Sequence, residues 1–232
     1  MAKHTKRNEG IVVVTAYGTF RRVDSHIFRT AAMLKWGASE KNLGILIMLN
    51  PGSCKLNDDL IWEKLSNGFI DVAEGSVALD ETMKAVVSIL TRSHPNLEGI
   101  LHVHNLFNLR NATYDDALEI YKKICKDKNY QDALHTNFTQ VFKTVFPWAW
   151  LAWSVADNKE INKRKRDVYE AIPQKVHKFL LNSEQLKYQK SRIHIYHPLP
   201  RKLENRLKYE EMMVYQMKKF WASKALHEKT EE

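Results

Sequence analysis

Apolar and polar positions alternate in blocks along the chain. Two apolar runs, residues 11–20 and 28–36, are separated by a polar connection, which predicts two strands joined as an edge hairpin. Four shorter apolar runs follow, at residues 44–50, 99–106, 148–154 and 191–197. Each of these runs precedes a segment whose apolar residues have helical spacing. Strands that alternate with helices predict parallel pairing through helical crossovers.

Two of the helical segments are the most regular. The apolar residues of segment 113–127 share one stripe: Ala117, Leu118, Ile120, Tyr121 and Ile124. Thr113 is the predicted N-cap, and Asp115 and Asp116 place negative charge in the first turn, where it suits the helix dipole. Residues 203–226 predict a longer amphipathic helix.

These elements predict an α/β fold: a three-layer α/β/α sandwich around a central, mostly parallel sheet. A chain of 232 residues is long enough to bury a sizeable core. No Gly/Ser-rich linker divides residues 11–226, so we expect a single domain there. Residues 1–10 are expected to form a basic N-terminal tail, and residues 227–232 a C-terminal tail.

Composition narrows the class of protein. The apolar fraction of 44% is that of an ordinary globular protein, and no apolar run approaches the roughly 18 residues that cross a bilayer. The basic N-terminus has no apolar segment behind it, so a secretory signal is not expected. Cys54 and Cys125 lack the spacing of metal ligands, which favours free thiols in a reducing cytoplasm. No cofactor, membrane or obligate protein partner is indicated.

The positive charge favours a polyanionic partner. The formal net charge is +9, and nucleic acid is a better match than an anionic membrane. The predicted DNA-binding side chains come from two basic runs: Lys163, Arg164, Lys165, Arg166, Arg201 and Lys202. The affinity of such residues for DNA falls steeply as the salt concentration rises, because each phosphate contact releases counterions. For either basic run alone, a solvated protein surface is as good an explanation as DNA binding.

Polar groups follow four of the predicted strands, at the point where each strand ends. The candidates are Asn50 to Ser53, Asn105 beside His104, Ser154, and His197. In an open α/β sheet the ligand lies outside the carboxyl ends of the strands. Pro51 fixes the backbone next to Asn50, so that the amide is aimed at the rim of a pocket. Strand capping explains any single one of these groups, but their recurrence at four ends favours a site.

These segments resemble two families. The stretch ILIMLNPGSCKLNDD, the stretch HNLFNLRNAT, the tryptophan-rich strand and the late HPLP resemble the domain-of-unknown-function family 1643 over most of residues 28–200, without implying an activity. In the same order, LNPGS, VHNLF, LAWSV and HPLPR resemble the motifs of the uracil-DNA glycosylase superfamily. Members of that superfamily have the same α/β/α layering.

The second resemblance implies a monofunctional DNA N-glycosylase, a hydrolase that flips a base out of the stack and needs no metal. Asn50 would orient the attacking water, because an amide is too weak a base to deprotonate it. Asn105 would read the flipped base through its paired donor and acceptor. His197 would donate to the base oxygen as negative charge accumulates there.

The same resemblance implies further contacts with the substrate. Arg201 would lie where the superfamily inserts a wedge into the duplex, and its charge would also reach phosphate. The remaining substrate-binding residues would be Pro51, Gly52, Ser53 and Ser154. The side chain that stacks on the base would be Phe69, with Trp62 and Phe107 as alternatives.

Four positions depart from the glycosylase pattern. Gly52 replaces a tyrosine that blocks bulk at the pyrimidine C5 position, so we hypothesise a modified or damaged pyrimidine as the substrate. Hydroxymethylated or glucosylated cytosine of phage DNA fits this description and would make the protein a phage-defence factor. Leu199 replaces a serine of the phosphate-binding loop. Asp58 and Asp59 have no counterpart: they either position water or a metal, or supply negative charge at a helix N-terminus.

Two other functions stay open. A metal-dependent hydrolase would use His102 and His104, which share one face of a strand, together with His194, His197 and Asp58 or Asp59. A non-catalytic nucleic-acid-binding module would use a basic helix over residues 161–181 and exposed aromatic residues. Stacking platforms could come from the tryptophan-rich strand, although a central strand favours a core position for all three: Trp148, Trp150 and Trp153.

Overall fold

The computed structural model describes residues 13–181, 195–200 and 202–228. Its strands in chain order are β1 Val14–Val23, β2 His26–Trp36, β3 Asn42–Met48, β4 Val72–Ser76, β5 Gly99–Asn105, β6 Trp148–Ala152 and β7 His177–Phe179. They form a seven-stranded sheet in the spatial order β4-β1-β2-β5-β3-β6-β7. The predicted N-terminal tail, residues 1–10, lies outside the described residues.

The sheet is parallel in one half and antiparallel in the other. β5, β3, β6 and β7 are parallel neighbours, whereas β4, β1, β2 and β5 pair antiparallel. The α/β class is therefore confirmed, and the prediction of a mostly parallel sheet is wrong. The difference comes from the β1–β2 hairpin, which was expected at an edge. Instead, β2 pairs with β5 and β4 covers the outer side of β1.

Helices pack against both faces of the sheet. They are α1 Asp59–Ser66, α2 Glu81–Ser93, α3 Tyr114–Ile124, α4 Gln131–Leu134, α5 Phe138–Val141, α6 Lys159–Ala171 and α7 Leu203–Glu228. Successive side chains of β3 point to opposite faces. Leu46 and Met48 belong to a hydrophobic cluster with α2 and α7, and Ile45 and Ile47 belong to a second cluster with α3 and α6. No helix in the described part of the chain is long and apolar enough to cross a membrane.

The two predicted amphipathic helices are present. α3 begins directly after Thr113 and buries Ala117, Tyr121 and Ile124 along one stripe. α7 covers the predicted segment and packs against α2. Glu210 fixes this contact, because its carboxylate accepts hydrogen bonds from the side chains of α2 at 2.8 Å and 2.6 Å.

The prediction of one helix over residues 161–181 is wrong. α6 ends at Ala171, because Ile172 precedes Pro173 and takes an extended ψ of 118°, the conformation that a following proline favours. β7 then supplies the fourth parallel strand, which the pattern predicts for residues 191–197. Residues 191–194 of that run lie outside the described residues, and Ile195 forms an antiparallel bridge instead.

The three tryptophans of the β6 region lie in the core. Trp148, Trp150 and Trp153 have no exposed surface, which confirms the core interpretation. The indole of Trp148 packs directly on the backbone of β3. A Cβ at Gly44 would lie 2.5 Å from that ring, so a glycine is required where the two strands meet.

Candidate functional site

The carboxyl ends of three parallel strands lie side by side. Met48 at the end of β3 pairs in register with Asn105 of β5 on one side and with Ala152 of β6 on the other. Asn50 follows Met48 by two residues, and Ser154 follows Ala152 by two. Ser154 is bridged to Ile195, which brings the segment of His197 to the same edge. The four predicted strand-end groups therefore meet at one edge of the sheet.

The loop after β3 holds the first of these groups. Asn50 and Gly52 are partly buried, Pro51 is buried and Ser53 is exposed. Gly52 has a φ of +65°, in the left-handed region that favours glycine. A Cβ at this position would meet no atom within 4 Å. The turn itself thus explains the glycine, and the space beside it is open.

Arg110 holds this loop in place, a role that was not predicted from the sequence. Its Nε donates to the carbonyl of Cys54 at 2.7 Å, and its Nη2 donates to the carbonyl of Ser53 at 2.8 Å. The guanidinium lies 4.9 Å from the centroid of the Trp62 ring. Burial lowers the pKa of Arg110, which stays charged. The signal in the sequence is a lone cation that directly follows the stretch NLFNL.

Ser154 has a strained backbone. Its φ is +84°, an unusual value for a residue with a Cβ, and such conformations cluster at functional sites. The Ser154 carbonyl accepts a hydrogen bond from Lys165 Nζ at 3.0 Å, and its Oγ accepts one from the amide of Ala156 at 3.3 Å. Lys165 is fully buried, and burial lowers its pKa to about 8. Its ammonium therefore supports the Ser154 turn and is unavailable to bind DNA, contrary to the prediction.

The remaining basic residues of α6 divide between surface and interior. Lys163 and Arg166 are exposed. Arg164 turns inward: its Nε donates to the carbonyl of Leu106 at 3.0 Å, and its Nη2 donates to the carbonyl of Thr136. Within this run, only the exposed Lys163 and Arg166 are therefore placed to contact phosphate.

The segment with His197 is fixed by a local turn. The amide of Leu199 donates to Nδ1 of His197 at 3.2 Å. The carbonyl of Leu199 lies at the same distance from Nδ1, so the turn orients the imidazole in either tautomer. Lys202 is exposed, and Arg201 lies outside the described residues.

Asp58 and Asp59 act at the N-terminus of α1. Asp58 is the N-cap, and its Oδ1 accepts from the amide of Ile61 at 3.0 Å. Asp59 forms an ion pair with Lys55 at 2.9 Å. These contacts favour the helix-terminus interpretation. Within residues 13–181, 195–200 and 202–228, no group of three or more His, Cys, Asp or Glu side chains is placed to hold a metal ion.

The histidines proposed for the metal alternative pack against aromatic rings. His102 and His104 share one face of β5, where they contact Phe146 and Phe138 edge-on at centroid distances of 5.5 Å and 6.1 Å. Burial lowers the pKa of both, to about 4 for His104. The third candidate, His194, lies outside the described residues.

The candidate stacking residues differ in exposure. Phe69 is 78% exposed after the end of α1 and is free to reach a ligand. Trp62 is partly buried between Arg110 and Phe20, whose ring it meets edge-on at 5.3 Å. Phe107 is fully buried in the second hydrophobic cluster and cannot stack on a base.

Buried polar atoms without partners lie at the same edge of the sheet. Asn105 is 1% exposed, and its Oδ1 has no hydrogen-bond partner. Arg29 of β2 is also 1% exposed, with Nε and Nη2 unpaired. Unpaired buried groups are rare in folded proteins and require an explanation. Arg29 is not among the site residues predicted from the sequence, although a cation inside the run IFRTAAM is a visible irregularity.

Two cavities lie away from this edge. One of about 500 Å³ is at the amino ends of the parallel strands, lined in part by Asn42 and Glu98. Another of about 390 Å³ lies between α5 and α6, lined in part by His135 and Arg164. Neither includes the strand-end residues. The carboxyl edge is therefore identified by its polar groups and its strained backbone rather than by the size of a cavity.

A comparison with protein families covers more than half of the chain. Residues 72–199 match the family model described as Protein of unknown function (DUF1643). The chain belongs to this family. The matched region contains β5, β6 and His197, and it begins after the loop that carries Asn50. No curated protein and no solved structure matches the chain.

Proposed function

We propose that this family member is a DNA glycosylase of the uracil-DNA glycosylase type, with a three-layer α/β/α fold. Its reaction is hydrolysis of the N-glycosidic bond of a flipped base, leaving an abasic site in DNA. One observation carries the proposal: Asn50, Asn105, Ser154 and the segment of His197 meet at one carboxyl edge. They do so in the chain order of the glycosylase motifs.

Each group has a defined part in the reaction. The C–N bond breaks, and its electron pair leaves with the base and spreads over the ring and its carbonyl oxygen. A water oriented by Asn50 forms the new bond to the sugar carbon and releases a proton to solvent. Asn105 binds the base edge, and the imidazole of His197 donates a hydrogen bond to a base oxygen as it becomes negative. The released base then takes a proton from solvent.

The open space at Gly52 supports a 5-substituted pyrimidine as the substrate. No protein atom lies within 4 Å of the position that a Cβ would occupy. A hydroxymethylated or glucosylated cytosine needs room of this kind. Such bases occur in phage DNA, so the proposed role is phage defence in the cytoplasm.

DNA is the proposed partner. The net charge of +9 favours a polyanion, and Lys163, Arg166 and Lys202 are exposed cations that can contact phosphate. The exposed Phe69 is the proposed stacking residue for the base, since its ring is solvent-accessible. Base–aromatic stacking tolerates many bases, so Asn105 rather than Phe69 carries selectivity.

The first test is base release. The protein is incubated without added metal with oligonucleotides that contain uracil, thymine mismatches, hypoxanthine, or hydroxymethylated or glucosylated cytosine. Alkali then cuts any abasic site. We expect cleavage of a 5-substituted cytosine substrate, reduced at least about 100-fold by Asn50→Ala. Asn129→Ala, an exposed asparagine after α3, is the matched control and should cleave like the wild type.

The outcomes separate the proposed function from its alternatives. Cleavage that disappears with a chelator and returns with a divalent ion would indicate a metal-dependent hydrolase. Absence of cleavage, with DNA binding that is salt-dependent and equal in Asn50→Ala, would indicate a non-catalytic binding module. Faster release of uracil than of any 5-substituted base would contradict the substrate assignment while leaving the glycosylase in place.

A further inference from the structure

Arg29 is a buried cation in the sheet. It pairs across strands with Phe20 of β1, and its amide donates to the carbonyl of Asn108 at 2.9 Å. Phe20 belongs to the first hydrophobic cluster, and directly paired residues point to the same face. The Arg29 side chain therefore enters that face at the level of the segment that follows β5, where only 1% of the residue reaches solvent.

The guanidinium of Arg29 is not compensated there. Nε and Nη2 are buried without hydrogen-bond partners, and none of the ion pairs in the described part of the chain involves Arg29. A buried guanidinium without hydrogen-bond partners or an ion pair is unfavourable, so this position destabilises the free protein. The pKa of His104 is lowered mainly by burial and then by the charge of His102. The positive charge of Arg29 lowers it further.

An unpaired acceptor lies on the neighbouring strand. Asn105 follows Leu101 and Val103 at alternate positions of β5, and both of these residues belong to the first cluster, so Asn105 points to the same face as Arg29. Its Oδ1 is buried without a partner. β2 and β5 are adjacent in the sheet. Unpaired donors and an unpaired acceptor are thus present on one face, at the edge where Asn50 lies.

We propose that Arg29 is a substrate-binding residue that stabilises the negative charge of the leaving base, an inference that rests on the proposed function. The ligand is a pyrimidine that presents a carbonyl oxygen to Arg29 and an N–H to Oδ1 of Asn105. As the glycosidic bond breaks, its electron pair delocalises onto that oxygen. The two N–H groups of Arg29 then face an anion in a site sheltered from water, where such an interaction is strongest.

The test compares Arg29→Met with the wild type in the full chain. Without ligand, Arg29→Met should unfold at a temperature about 2–4 °C higher, because an uncompensated buried charge is removed. In base release it should be about 100- to 1000-fold slower. The loss of rate should be larger for substrates whose base is a poor leaving group than for 5-fluoro-substituted ones. A general packing defect does not produce this difference. Arg21→Met, an exposed arginine of β1, is the control and should change neither property.

A binding measurement keeps this inference separable from the proposed function. Free uracil, 5-hydroxymethylcytosine and inorganic phosphate are each added to the wild type, Arg29→Met and Arg29→Lys, and the unfolding temperature is measured. Stabilisation of the wild type by a pyrimidine, absent in Arg29→Met, supports the site even if no base is released from DNA. Stabilisation by phosphate alone, or a lower unfolding temperature of Arg29→Met without ligand, overturns it.

Discussion

At the scale of single residues, two backbone conformations set the geometry of the candidate site. Gly52 has a φ of +65° and Ser154 a φ of +84°, and both follow parallel strands by a few residues. The glycine adopts this conformation without strain, whereas the serine is held in it by Lys165 and by the bridge to Ile195. The strain at Ser154 marks the edge where Asn50 and Asn105 lie.

Substitutions of Gly52 test its role in substrate selection. Gly52→Tyr should slow release of 5-substituted pyrimidines at least about 10-fold relative to unsubstituted ones, because the ring occupies the open space beside the turn. Gly52→Asn is the control, since asparagine tolerates positive φ with little added bulk. Selectivity is measured as the ratio of kcat/KM for the two classes of oligonucleotide. An equal change of that ratio in both variants would assign the effect to the backbone and not to the pocket.

At the scale of elements, the loop between β3 and α1 depends on a residue from another part of the chain. Arg110 donates to the carbonyls of Ser53 and Cys54, and Asp58 caps the helix that follows. The second end of the loop is fixed where Leu56 bridges to Val77. The position of Asn50 therefore depends on contacts with residues that are far away in the sequence, and not on the local turn alone.

Arg110→Lys should release this loop. Lysine keeps the charge but lacks the fork that reaches both carbonyls, so we expect a loss of about 1–3 kcal/mol in the free energy of unfolding. Amide hydrogen exchange should become faster in residues 52–57 and stay unchanged in β3. Urea unfolding and exchange measured by mass spectrometry check these two expectations. Uniform acceleration across the sheet would show that Arg110 stabilises the whole fold and not the loop.

At the scale of the whole molecule, buried histidines couple stability to pH. Burial lowers the pKa of His104 and of His135 to about 4, and nearby positive charge adds to both shifts. His135 donates from Nδ1 to Gln131 at 3.0 Å and accepts from the hydroxyl of Tyr121 at 3.1 Å, which suits the neutral ring. Between pH 6.5 and about 4 the unfolded chain therefore binds protons that the folded protein excludes.

The free energy of unfolding should fall as the pH is lowered through this window. From pH 6.5 to 5 we expect a loss of about 1–2 kcal/mol for each of these histidines. His104→Phe should have a shallower dependence on pH, because phenylalanine does not titrate and can pack on Phe138. Urea midpoints at pH 7, 6 and 5 measure the slope. Parallel curves for the variant and the wild type would show that other groups control the acid sensitivity.

The sequence by itself determined the elements whose signal is local. The β1–β2 hairpin, the strands β3, β5 and β6, the stripe of α3 and the buried tryptophans all follow from periodicity and apolar content over short windows. The polar strand ends were also visible, since Asn50, Asn105 and Ser154 each interrupt an apolar run. Parallel strands place such ends at one edge, so their proximity could be expected before any coordinates were known.

Only the tertiary structure decided what depends on distant parts of the chain. β4 has the weakly apolar sequence VAEGS and β7 has only three residues, so neither has a clear pattern, and both form because partner strands are present. Lys165 belongs to a run that predicts a solvated or DNA-binding surface, yet the fold buries it against two carbonyl groups. Arg29 and Asn105 are far apart in sequence, and their placement on one face of the sheet follows from the pairing of β1 with β2 and of β2 with β5. Burial and pairing are properties of the assembled sheet, and no short window of sequence encodes them.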